Sequence, residues 1–323
     1  MNNEKEISKN NKENIFEEYP YLQELGELIG EIPLKEGVTL PSGRALNNEE
    51  IYQLSSRKNI DFIYIMGPIG SGKTTFEAML YSLFLRKVND NLIFSGSESL
   101  AGFDELLNYI RVNSGDSDVN MPRTPKENRE KFYHLELFLC STNEKRDIVI
   151  ADVAGELFDM CKANSENLDI HVPYLGIAKN IVIFVDGEAF LKKALWNAAI
   201  MNTRALLLTI KSSKQYKRGM NIDIIISKND EIVKKSDNMK VTKNVGAIKK
   251  HLESFEEDFN IKFFRIQALN DYKQKDDSST SILDMVLYWI GGENYSIKQM
   301  DNRKEQLKVT SYFNRFMERQ LYE

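Results

Sequence analysis

Apolar positions along this chain fall into short β-branched runs separated by longer stretches with helical period. Ile60–Met66 is a near-continuous apolar run of strand length, and Thr74–Arg86 behind it has the spacing of an amphipathic helix. Asn91–Ser95 is a second short run, and Glu98–Arg111 reads as a helix that turns Leu100, Phe103, Leu106, Leu107 and Ile110 to one core-facing side. Phe132–Cys140 and Asp147–Ala151 are two strands joined by the polar turn Ser141–Arg146, a hairpin that inserts an antiparallel strand. Ile181–Val185, Ile222–Ile226 and Ile261–Ile266 are three more strand runs. Helical segments Ala189–Ile210 and Asn244–Phe259 lie between them, and Ser281–Ile290 follows. Strands alternating with longer helices predict an α/β fold of three layers, a mostly parallel sheet with one antiparallel strand and helices on both faces.

The ends read differently. Residues 1–18 are Asn-, Glu- and Lys-rich, without an apolar segment that would make a signal peptide, and are expected to be a disordered tail. Residues 19–58 form an extension with turn signals at Gly37, Pro41-Ser42-Gly43 and Asn47-Asn48. A short helix over Leu46–Leu54, capped by Asn47 or Asn48, closes it. The main domain is expected over 59–292, with a charged helical tail over 293–323. No internal repeat is visible.

Composition narrows the function classes. The hydrophobic fraction of 42% is that of a chain with a real core, and the net charge of -5 gives no overall footprint for nucleic acid or anionic membrane. No run of about 18 apolar residues suggests a membrane span, so a cytoplasmic location is expected. Cys140 and Cys161 lack the spacing of a zinc or redox motif. His134, His171 and His251 share no metal-ligand spacing and read as structural or exposed.

The chemistry concentrates at strand ends. Gly67-Pro68-Ile69-Gly70-Ser71-Gly72-Lys73-Thr74 fits G-x-x-x-x-G-K-[ST] at every fixed position, with a strand before it and a helix after it. Gly67, Gly70 and Gly72 let the backbone curl its N–H groups around a polyphosphate, and the following helix adds its positive end. Ser71 and Thr75 belong to the same phosphate-binding set. Lys73 would reach the β- and γ-phosphates, and the Thr74 hydroxyl would ligate Mg²⁺.

The strand ending at Ala151 runs into Asp152-Val153-Ala154-Gly155-Glu156. Asp152 would hold Mg²⁺ through a water, and the Gly155 N–H would donate to the γ-phosphate. Ser227-Lys228-Asn229-Asp230 is close to the [NT]-K-x-D guanine signature. Asp230 can accept from N1–H and the exocyclic amine of guanine, a donor pair that adenine lacks, and the Lys228 stem would lie along the base. Serine at 227 departs from the usual Asn or Thr and weakens base fixing. The N–H of Ala268, in Gln267-Ala268-Leu269, is a candidate donor to guanine O6. Pro122-Arg123-Thr124-Pro125 suits a switch loop whose Thr124 joins the Mg²⁺ shell only with GTP. A plain proline-bounded loop is the alternative. Arg123 is a candidate arginine finger in cis, beside the plainer reading of a solvated arginine.

These motifs, in this order, resemble the TRAFAC class of P-loop GTPases. Leu40-Pro41-Ser42-Gly43, Phe94-Ser95-Gly96-Ser97-Glu98-Ser99-Leu100, Pro122-Arg123-Thr124 and Asp152-Val153-Ala154-Gly155-Glu156 resemble, more narrowly, the bacterial double-GTPase family. The resemblance covers roughly residues 38–270. It implies GTP or GDP as ligand with Mg²⁺, a protein partner such as a second GTPase, and a role in a prokaryotic conflict or signalling system. Ras-like enzymes carry glutamine where this chain has Glu156. A carboxylate there can orient water but repels the γ-phosphate, so slow hydrolysis is expected. Two other readings stand beside a regulatory GTPase: a GTP-binding scaffold that does not turn nucleotide over, and a P-loop ATPase, against which Asp230 speaks.

Overall fold

The computed structural model describes residues 43–85, 92–112, 130–229, 232, 238–266 and 282–291. In chain order these are α1 (Asn48–Arg57), β1 (Ile60–Met66), α2 (Lys73–Leu85), β2 (Leu92–Gly96), α3 (Leu100–Val112), β3 (Glu130–Leu139) and β4 (Glu144–Val153). Then come α4 (Gly155–Cys161), α5 (Ser165–His171), β5 (Asn180–Val185), α6 (Lys193–Ser212), β6 (Met220–Ile226), α7 (Asn238–Leu252), β7 (Phe259–Arg265) and α8 (Ile282–Gly291). The expected tails, most of the 19–58 extension, and Arg123, Thr124, Asp230 and Ala268 lie outside the described residues.

The strands form one seven-stranded sheet in the order β2-β3-β4-β1-β5-β6-β7. β4, β1, β5, β6 and β7 run parallel, and β3 is antiparallel to both β2 and β4. The hairpin and the single antiparallel strand are therefore as the sequence pattern implies. Because side chains alternate along a strand, each strand feeds two cores. Phe62, Tyr64 and Met66 of β1, with Val149, Ala151 and Val153 of β4, join α1, α4, α5, α6 and α7 on one face. Ile63, Ile65, Ile148 and Ile150 join α2, α3 and α8 on the other. This is a three-layer α/β architecture.

Residues 43–57 are bound into it. Leu46 bridges to Phe132, with Leu46 N donating to Phe132 O at 2.8 Å, and Ile51 and Leu54 of α1 are buried with β1. Asn47 caps α1: its side chain accepts from the N–H groups of Glu49 and Glu50, while Glu50 accepts from the Asn47 N–H at 2.9 Å.

Four expectations need correction. The helix after Lys73 is not amphipathic; every residue from Phe76 to Phe84 is buried. Neighbouring helices cover it on more than one side, with Tyr81 stacked on Phe103 of α3 and Phe76 edge-on to Trp289 of α8. Leu100 is 42% exposed because it is the first residue of α3, while Phe103, Leu106 and Leu107 are buried. The helix expected from Ala189 begins at Lys193. A separate 3₁₀ turn, Gly187–Leu191, is capped by Asp186, and Lys192 is extended between the two. The helix expected to reach Phe259 ends at Leu252, then turns 3₁₀ through Glu253–Phe255. Leu252, Phe255 and Phe259 continue a helical spacing, but Phe259 is already in β7, paired with Met220.

Candidate functional site

In an open α/β sheet, ligands sit beyond the carboxyl ends of the strands where strand order reverses. Here that point is β1, which has β4 on one side and β5 on the other: the chain fills the first side with β2, β3 and β4 and then crosses to the second. The 67–74 loop leaves β1 at this point and α2 begins at Lys73, so the loop's N–H groups and the positive end of a helix meet there. Gly70 and Gly72 adopt φ of 77° and 90°, left-handed values that suit glycine, and nothing lies within 4 Å of where a Gly70 Cβ would stand. Thr74 and Thr75 are half-buried on the first turn of α2. Ser71 is fully buried and its Oγ has no hydrogen-bond partner.

Lys73 is 7% exposed and folds back over its own loop, donating to Gly67 O at 2.8 Å and Pro68 O at 3.3 Å. Burial lowers its pKa, opposed by the charges of Asp152 and Glu77.

The second motif is pressed against the first. Asp152 pairs in register with Ile65 on the adjacent strand. Gly155, the first residue of α4, has no room for a side chain: a Cβ there would stand 2.7 Å from Ile69 N. Asp152 is 5% exposed and its Oδ1 is unpaired. Burial raises its pKa, with Lys73 and Lys131 pulling the other way. An unpaired buried carboxylate oxygen on the strand next to the phosphate loop fits a hard divalent cation, which takes oxygen donors, and Thr74 on that loop carries another. Glu156 is exposed in the first turn of α4.

The third motif borders the loop from the β6 side. Ser227 is buried, its N–H donates to Val185 O at 3.1 Å, and its Cβ lies 3.6 Å from where a Gly72 Cβ would be. Lys228 adopts φ of 51°, and its ammonium is held by Asp186 at 3.1 Å and Glu188 at 3.5 Å. Asn229 is fully buried with both side-chain amide atoms unpaired. Asp230, Ala268, Thr124 and Arg123 are outside the described residues, so three of the expected motifs meet in part and the switch threonine is not located.

A cavity of about 470 Å³ lies on the outer flank of the loop, lined by Pro68, Ile69, Phe158, Leu195 and Ala199 among others. Lys73, Thr74 and Asp152 do not line it. Next to these motifs the sequence reading assigns no role to two buried polar residues, Glu77 and Asn229. The signal for Glu77 was an acid in the otherwise apolar Phe76–Phe84 stretch.

Residues 61–290 match the model of the family described as Double-GTPase 2. The chain belongs to the Double-GTPase 2 family. That makes it a GTP-binding GTPase. No curated protein matches the sequence. Among solved structures, a signal recognition particle receptor SRb-GTP/SRX complex from Chaetomium thermophilum is 13% identical, with 72% of this chain and 97% of that chain covered and a TM-score of 0.41. The Ski7 GTPase-like domain of S. cerevisiae bound to GDP and inorganic phosphate is 12% identical over 78% of this chain and 53% of that one, with a TM-score of 0.46. The same domain bound to GTP gives 11% identity, 76% and 52% coverage, and a TM-score of 0.44. The match spans about half of the Ski7 chains.

The family-like stretch after β2 holds the scaffold. Ser97 Oγ donates to His134 O at 2.6 Å, Glu98 N–H donates to His134 Nδ1 at 3.0 Å, and His134 N–H donates to Ser99 Oγ at 2.8 Å. Since Nδ1 accepts, Nε2 carries the proton and donates to Asp147 Oδ1 at 2.9 Å. Burial lowers the His134 pKa, keeping the ring neutral.

Proposed function

We propose that this family member is a regulatory GTPase that binds GTP with Mg²⁺ at the 67–74 loop, hydrolyses it slowly and changes shape as it does. The observation that carries the reading is the contact of Gly155 with Ile69. The Asp152–Glu156 segment rests directly against the phosphate loop, which is where a segment that reads the γ-phosphate has to be.

In this reading the N–H groups of Gly67–Thr75 cradle the phosphates, and Lys73 exchanges its two loop carbonyls for phosphate oxygens. Thr74, Asp152 through a water and, from the switch loop, Thr124 would hold the cation. When bound, Mg²⁺ would neutralise part of the charge on the phosphates. Gly155 donates its N–H to the γ-phosphate. Ser227, Lys228, Asp230 and Ala268 hold the base, with Asp230 selecting guanine. Lys228 must then leave Asp186 and Glu188 or carry them with it.

Glu156 stands where a neutral amide would orient water without repelling the γ-phosphate. Its exposure leaves it accessible to a protein partner that completes the site, and Arg123 is the in-chain alternative. A second GTPase as that partner, a prokaryotic conflict or signalling role and a cytoplasmic location belong to the same proposal. No helix among the described residues is long and apolar enough to cross a membrane.

A titration comparing GTP, GDP and ATP tests the reading. Guanine nucleotides should bind at least about 100-fold tighter than ATP, since a site built to accept two donors rejects a base that lacks them. Equal affinity for ATP would remove Asp230 from the base site. The carboxylate of Glu156 favours a second reading, a scaffold that binds GTP without turning it over. Phosphate release beyond one equivalent per chain would end that alternative.

A further inference from the structure

Beside the phosphate loop the fold buries an acid that nothing among the described residues satisfies. Glu77 sits on α2, one turn beyond Lys73 and three residues beyond Thr74. It is 0% exposed, and neither Oε1 nor Oε2 has a hydrogen-bond partner. Cβ bonds in a helix tilt toward its N-terminus and long side chains lie over the preceding turn, so this carboxyl leans toward the turn that carries Lys73 and Thr74. There it falls within electrostatic reach of Asp152, whose own Oδ1 is buried and unpaired.

The positive charges nearby do not satisfy it. Lys73 and Lys131 act on both acids through space, but no cation bonds to either Glu77 oxygen, and Lys73 spends its ammonium on Gly67 and Pro68. A neutral carboxyl would be no better placed, since its hydroxyl donor and its carbonyl acceptor would both go unbonded. The residues on either side, Phe76, Ala78, Met79 and Leu80, are buried and apolar, so a leucine would pack here without that cost. Packing does not account for an acid at 77.

We propose that Glu77 is a second carboxylate for the divalent cation of the nucleotide site, acting with Asp152. The inference rests on the nucleotide reading above. Its consequence is that two acids near the phosphates hold the cation firmly and repel nucleotide that lacks it, so loss of the cation gates nucleotide release.

The test uses the full chain loaded with GDP, with Mn²⁺ as a paramagnetic probe of the site. Glu77→Gln, which keeps the shape and removes the charge, should weaken Mn²⁺ binding at least about 10-fold, the scale on which groups supporting a metal site act. In EDTA the same variant should bind GDP as tightly as the natural chain or more tightly, because one repelling charge is gone. Glu77→Leu serves as the same test should the glutamine variant fail to fold, and it should lose Mn²⁺ affinity in the same way. Unchanged Mn²⁺ affinity in a GDP-loaded variant overturns the inference and leaves the nucleotide reading standing. Parallel loss of fold, GDP binding and Mn²⁺ binding in both variants also overturns it, in favour of a structural acid. A natural chain that binds no GDP, with or without cation, sinks the nucleotide reading and this inference together.

Discussion

Two groups of buried polar side chains share this sheet, and they are treated in opposite ways. Under α8, Asp223 is fully buried yet accepts from Trp289 Nε1 at 2.9 Å, Asn180 Nδ2 at 2.9 Å and the Tyr288 hydroxyl at 3.4 Å. His134 has both ring nitrogens occupied, and its partner Asp147 is also bonded by Lys58 at 2.8 Å. At the carboxyl ends of β1, β4 and β6, by contrast, Ser71, Asp152 and Asn229 keep unpaired buried atoms, as does Glu77 on the helix leaving the loop. Arg146 Nε and Trp196 Nε1 are unpaired elsewhere, so the contrast is one of concentration. Buried polar groups in folded proteins are normally bonded, and a cluster that is not marks a place organised for something other than stability. One region spends its polar groups on the fold, the other holds them for a ligand.

The sharpest break of that contrast is at Lys73. Lys73→Ala should lower guanine-nucleotide affinity at least about 100-fold, since it removes two or more charge-assisted contacts worth about 1.5–3 kcal/mol each. Stability should change by less than about 1 kcal/mol, because the lost attraction to Asp152 and Glu77 is offset by a buried charge no longer desolvated. Isothermal titration and chemical denaturation on the same variant measure both. Unchanged nucleotide affinity would remove the 67–74 loop from the site. A collapse of stability with binding would erase the distinction between the regions.

Asp223→Ala is the reciprocal. It strands the indole N–H of Trp289 and the amide of Asn180 in a dry core, and should cost about 3 kcal/mol of unfolding free energy. GDP affinity of the folded fraction should stay within about twofold, because Asp223 is on no loop of the site. A loss of GDP affinity beyond that would tie α8 to nucleotide binding.

The sequence made the two regions legible to different degrees. Strand runs, the antiparallel hairpin and the 67–74 loop were readable because each is a local pattern: a short β-branched apolar run, a polar turn, glycines at fixed spacing before a lysine. The meeting of the Asp152–Glu156 segment with the loop followed from the same logic, since both leave carboxyl ends of neighbouring parallel strands. The Asp223 network was not readable. Its members are at 180, 223, 288 and 289, and nothing local in Ile222–Ile226 tells a buried, bonded aspartate from a misplaced one. Glu77 was hidden for a related reason: on an amphipathic helix an acid belongs on the wet face, and only the packing of α3 and α8 shows that α2 has none there. The short helices α4 and α5 escaped because their seven residues each give too few turns for a period to show.

The smallest effect concerns the state of the Asp223 carboxyl. Burial pushes its pKa up from 3.8 to about 6, against the hydrogen bonds from Trp289 and Asn180, the charge of Lys262 and the hydrogen bond from Tyr288. The folded chain therefore binds a proton more tightly than the unfolded chain, and between those two values the folded state holds more protons. Stability from this group is largest below pH 3.8 and is lost as pH rises through about 6. Asp223→Asn removes the titration and keeps the shape, so the difference in unfolding free energy between the natural chain and this variant isolates it from every other ionising group. That difference should shift by about 1 kcal/mol against the natural chain between pH 5 and pH 7. Denaturant titrations at the two pH values give it directly. A flat difference would mean that three hydrogen bonds hold the carboxylate at its ordinary pKa, making the bonded region fully compensated. A shift of the expected sign would mean that even the satisfied region pays in charge for its polar core.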